Sequence, residues 1–97
     1  MVTIKEPTEF IWDGSNKDKN WIKHKVTNQE CEEIFSDRDK RIYKDRLHSE
    51  KEKRFILLGR TKKERLLYTV FTIRKKKIRI ISSRDVNKKE VKLYFEC

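Results

Sequence analysis

Arg79 and Arg84 carry the most pointed chemistry in the chain. Arg79 interrupts an aliphatic run, Ile78-Arg79-Ile80-Ile81, and a guanidinium on a strand calls for a carboxylate or a phosphate. Arg84 stands at the end of the same run, just before a helix start, where unsatisfied N–H groups favour an anion. Arg79 can as well be half of a salt bridge to one of the sixteen acids of the sequence, whereas the place of Arg84 favours an anion contact. Other residues are poorer in signal. Lys75-Lys76-Lys77 reads as a solvated turn or a phosphate contact. Glu90 sits where a capping box would occupy it, and Tyr94 reads as a core residue or as a ring on which a base can stack.

The charge balance points the same way. Twenty-six Lys and Arg against sixteen Asp and Glu leave +10 on 97 residues, and such an excess suits a polyanionic partner. Charged residues make up 43% and hydrophobic ones 35%, near the border of disorder. The apolar residues are bunched at Phe55–Leu58, Leu66–Ile73 and Ile78–Ile81, which predicts one domain over 1–97 with a small core. No apolar stretch is long enough to span a bilayer, and Met1–Glu9 lacks the apolar segment of a signal peptide. Cys31 and Cys97 fit no metal spacing, and a cytoplasmic chain with Cys31 reduced in the core is the simplest reading. No GxGxxG, GxxxxGK[ST] or HExxH is present, so neither cofactor nor metal is expected.

The elements that would position these residues follow from periodicity. Glu9–Asp13 predicts a short strand, and Ser15 to about Lys25 a polar helix with Ser15 as its cap and Asp18 in its first turn. Thr27-Asn28-Gln29-Glu30 is a capping box, with Val26 and Cys31 as a hydrophobic staple, for a second helix running to about Ser36. Asp37–Lys53 reads as a long polar loop. Lys53–Gly59, Arg65–Arg74 and Ile78–Ser83 predict a three-stranded antiparallel meander, with turns at Gly59–Lys63 and Lys75–Lys77. Both faces of Arg65–Arg74 are largely apolar, as in a covered central strand. Asn87-Lys88-Lys89-Glu90 caps a last helix whose buried face would be Val91, Tyr94 and Phe95, with Val86 stapled to Val91. The expected class is α+β.

Several blocks then carry a resemblance. Phe10-Ile11-Trp12-Asp13 followed by Asn20-Trp21-Ile22-Lys23-His24-Lys25-Val26 resembles the opening of BrnT-family toxins, a WD followed by NxxKHGV. Arg54–Gly59, Tyr68–Thr72, Ile78–Arg84, Glu90 and Tyr94 continue it in order, covering residues 9–95. Lys25 stands where the family usually has Gly; Ser83 and Val86 replace usual alanines. The resemblance implies a toxin of a type II toxin–antitoxin system with a RelE-like ribonuclease fold, cleaving RNA without a metal and halting translation. It implies site residues among Lys23, His24, Arg54, Arg79 and Arg84. Its expected partner is a BrnA-like ribbon-helix-helix antitoxin that dimerises and binds DNA.

The residues fit that chemistry on their own terms. Cleavage through the 2′-hydroxyl needs a base, an acid and cations for the charge developing on the phosphate oxygens. Lys23 and His24 are adjacent, so on a helix they point about 100° apart and do not both face one ligand. His24 is either catalytic or a structural histidine packed on Trp21 or capping the helix end, and Lys23 either meets phosphate or stays solvated. Two other functions share the same charge: a non-catalytic RNA- or ribosome-binding module, and a module that docks an acidic protein. The polar stretch Asp37–Lys53 and the first helix are the candidate antitoxin surfaces.

Overall fold

A computed structural model describes residues 9–47 and 51–96. Met1–Thr8, which the signal-peptide reading concerned, and Cys97 lie outside the described residues. The elements are β1 (Phe10–Ile11), α1 (Lys19–His24), α2 (Asn28–Glu33) with a 3₁₀ turn at Ile34–Ser36, β2 (Arg41–Asp45), β3 (Arg54–Arg60), β4 (Leu66–Arg74), β5 (Lys77–Asp85) and α3 (Lys88–Phe95). The fold is α+β, compatible with a RelE-like arrangement. Its single sheet has the order β1-β5-β4-β3-β2, with β1 parallel to β5 and the other neighbours antiparallel.

The expected meander is the middle of this sheet, and two edge strands extend it. One comes from the stretch read as a loop. Arg41–Asp45 pairs with β3 because Ile42 can turn inward and bury completely, while Lys44, on the same side two residues on, stays exposed at the rim of the edge strand and blunts it. Residues 48–50 of that stretch lie outside the described residues. The other edge is β1, only two residues long, placed beside Ile78 and Arg79.

The inner face of the sheet carries the core. Leu57, Leu67, Phe71, Ile78 and Ile80 meet Val26, Cys31, Ile34 and Phe35 from α2 and its flanks. Phe35 is wedged edge-on between Phe10 and Phe71, with ring centroids 5.2 and 5.1 Å away. Both capping boxes form as expected. Gly59 is no turn residue. It lies inside β3, where a side chain would meet the Ile34 carbonyl oxygen at 2.9 Å, so glycine is what lets the 3₁₀ turn close on the strand.

The first helix is shorter than expected. Asp13, not Ser15, organises its approach: its side chain accepts the Ser15 N–H at 2.9 Å and its carbonyl accepts the Lys17 N–H at 2.8 Å. Asp18 ends up at the cap with φ 59° and exchanges two hydrogen bonds with the Asn28 side chain, tying α1 to α2. The helix ends at Lys25, which adopts φ 56°. That is the left-handed conformation glycine takes at helix ends. The expected face of α3 is corrected as well. Tyr94 and Glu90 are buried, whereas Val91 and Phe95 are exposed, because polar bonds rather than apolar contacts pin this helix.

Candidate functional site

Pairing register sets which side chains share a face, since cross-strand partners project to the same side. Arg54 pairs with Thr72, and Thr72 with Arg79, so the two arginines flank a threonine in one row across the outer face. Two strand spacings put their Cα atoms about 10 Å apart. Arg84 pairs with Tyr68, four residues along β4 from Thr72, and joins the same face. Three of the five expected site residues are therefore brought together on one surface of the sheet.

Each arginine is oriented by specific neighbours. Arg79 donates from Nη1 to Asp13 Oδ2 at 2.8 Å and from Nη2 to the Ser15 hydroxyl. The Asp13 carboxyl is brought down to about 2, chiefly by the Ser15 hydroxyl and N–H, with Arg79 adding to them. Arg84 makes a bidentate pair with Glu90, at 2.8 and 2.9 Å, and its guanidinium lies over the Tyr68 ring 4.0 Å from the centroid. Burial pushes the Glu90 carboxyl up, but Arg84 and the Asn87 N–H outweigh it and hold the group below its usual range. Arg54, half-buried, begins β3 opposite Asp45. Arg74 binds Glu52 at 3.1 and 3.2 Å and depresses its carboxyl, and the fields of Arg54 and Arg79 add to that. The lower half of the outer face is thus a cationic field with a few acids set into it.

Lys23 and His24 stand elsewhere. They are exposed on α1, which packs along β5 beyond the short β1: Asn20 accepts the Ser83 backbone N–H at 2.9 Å, and Ser83 shares a buried hydroxyl contact with Thr69. Trp21 carries the Lys25 ammonium over its ring at 5.1 Å. The carbonyls of His24 and Lys25 accept from Arg65. Arg65 is a residue the sequence reading passed over. It also binds Asp85 and Glu30, so one guanidinium joins the end of α1, the cap of α2 and the end of β5.

Tyr94 turns out to be structural. Its hydroxyl donates to Asp37 at 2.5 Å and accepts from Arg60 at 3.0 Å, and burial together with Asp37 pushes the phenol up to about 12. Two other residues missed from sequence belong to the outer face: Asp13, the partner of Arg79, and Tyr68, the platform under Arg84. The alternation of Tyr68, Val70 and Thr72 was the available signal for the second.

A comparison with protein families matches residues 12–90, more than three quarters of the chain, to the family described as "Ribonuclease toxin, BrnT, of type II toxin-antitoxin system". The chain belongs to this family. No curated protein matches it. The BrnT family is one of ribonuclease toxins of type II systems, which implies a protein antitoxin and an RNA target. The matched span of this BrnT-family chain includes both Asp13 and Glu90, the carboxylates that hold Arg79 and Arg84. No helix among the described residues is long and apolar enough to cross a membrane.

Proposed function

We propose that this BrnT-family chain is a metal-independent endoribonuclease, acting in the cytoplasm, that cleaves RNA through the 2′-hydroxyl on the outer face of its sheet and so inhibits translation. The observation that supports this most is the common face of Arg54, Arg79 and Arg84. Arginines oriented by carboxylates present fixed N–H donors to a phosphate, and fixed donors stabilise charge developing on the phosphorane oxygens without reorganisation. Arg84 and Arg79 hold the scissile phosphate, and Arg54 holds it or its neighbour. Lys23 and His24, exposed on α1, serve as outlying contacts for the RNA backbone. The antitoxin is a BrnA-like ribbon-helix-helix dimer that silences the toxin by covering its basic surface.

The test is incubation of purified protein with RNA in excess chelator, followed by analysis of the new ends. A 2′,3′-cyclic phosphate with a 5′-hydroxyl is the expected pair, because the 2′-oxygen attacks and the 5′-oxygen leaves. RNA that is retarded but never cut supports a binding module instead. Cleavage that appears only on adding a divalent ion contradicts the metal-free route.

A further inference from the structure

Above the arginine row, the outer face and α3 enclose a groove of about 440 Å³, within the range of small-molecule pockets. Tyr43, Ile56, Leu58 and Tyr68 line it from three strands, and Glu90 and Leu93 from α3. Resting on the ribonuclease reading, we propose that this groove seats one base of the RNA, the one adjoining the phosphate held by Arg84.

The chemistry of the lining favours a nucleotide over an apolar side chain of a protein. Two of the six lining residues are tyrosines, which suit a flat aromatic ligand. Both Tyr68 and Glu90 are also direct partners of Arg84, so the aromatic groove and the phosphate-binding cation are parts of one structure. A ligand that fills the groove and meets Arg84 must join an apolar, planar body to an anion within a few ångströms. A nucleotide does so. Glu90 adds a polar mark. Its Oε1 accepts from the Asn87 N–H and from Arg84, and its Oε2 accepts once, from Arg84. A carboxylate has about four acceptor positions, so one on Oε2 is left for an N–H on the edge of the base. The bulk of the net charge of +10 then provides sequence-independent attraction, while the groove provides preference for a base.

The test uses short RNAs made uncleavable by 2′-O-methylation at the mapped cleavage site, each with one abasic position. Binding is measured for the wild type, Tyr43→Ala and Leu93→Trp, all checked as folded by circular dichroism. Leu93 is 41% exposed, so its replacement fills the groove from the open side. In the wild type, one abasic position beside the scissile phosphate weakens binding about 5- to 150-fold, the range base–aromatic stacking supplies. In Leu93→Trp the intact RNA is weakened by a similar factor, and the penalty for that abasic position disappears. An abasic penalty equal in wild type and variants, or none at any position, overturns the groove proposal while leaving cleavage intact. Leu93→Trp that binds RNA normally but loses the co-encoded antitoxin also overturns it, since the groove is then a protein seat. A wild type that cleaves no RNA fails one level earlier, at the ribonuclease reading.

Discussion

Arg79 and Arg84 are five residues apart on β5 and still project from the same face of the sheet. In a regular strand, residues an odd number apart point to opposite faces. Here Phe71 pairs with Ile80 and Val70 with Ser82, so Ile81 is an extra residue without a partner, and the bulge shifts the parity of everything after it. The bulge therefore aims Arg84 at the surface that Arg79 and Arg54 already occupy.

Arg79→Ala and Arg84→Ala should each lower RNA cleavage about a hundredfold, the loss of roughly 3 kcal/mol of transition-state stabilisation. Arg84→Lys should recover little, because an ammonium cannot keep the bidentate pair with Glu90 and the stacking on Tyr68 together. The check is single-turnover cleavage beside a thermal melt. Variants that melt as the wild type and cut at the same rate would remove these arginines from the site.

Lys25→Gly should stabilise the fold. Lys25 holds φ 56° without the freedom glycine has there, a conformation worth roughly 1 kcal/mol to glycine. The lost contact with the Trp21 ring subtracts about 0.5 kcal/mol, leaving a rise in Tm of a few degrees. Lys25→Ala loses the ring contact and keeps the strained backbone, so its Tm should fall.

Gly59→Ala should destabilise by about 1–3 kcal/mol. Its new methyl group would meet both the Leu57 side chain at 2.8 Å and the Ile34 carbonyl at 2.9 Å, and the carbonyl belongs to backbone that cannot swing aside. Urea unfolding gives the measurement, and an unchanged midpoint would mean the 3₁₀ turn is free to retreat.

Acid should weaken the fold through its paired carboxylates. Asp13, Asp85, Glu52 and Glu90 all have folded values below their ordinary 3.8 or 4.5. Their contribution is complete above those ordinary values and is lost as pH falls through the lower folded ones, for Asp13 down to about 2. The urea midpoint should be level from about pH 7 to 5 and fall below that. Glu90→Gln, which retains the cap, should lie below the wild type at neutral pH and converge with it in acid.

Association with the co-encoded antitoxin should be fast and salt-dependent. Raising salt from about 50 to 200 mM shortens the screening length, and a +10 toxin meeting an acidic partner should bind more slowly. Stopped-flow mixing measures the rate. A rate indifferent to salt, or RNA cleavage that persists at saturating partner, contradicts silencing by cover of the basic surface.

What could be read in the sequence was whatever depends on neighbours along the chain. Both capping boxes, the three central strands and the inward stripe of Cys31, Ile34 and Phe35 were visible because capping and periodicity act over a few residues. The family blocks likewise pointed to the arginines. Their grouping was invisible, because it rests on contacts between distant positions. Asp13 holds Arg79 across 66 residues, and the bulge at Ile81 exists only against the register of β4. Edge strand β2 was hidden for a related reason: a charged stretch with one buried isoleucine looks like a loop until β3 offers it a partner. Lys23 and His24, in one motif block with Trp21, stand exposed on α1 and not in the rows of the sheet that carry the arginines. Local chemistry chose the elements, while pairing register and the two sides of the sheet decided which side chains can act together.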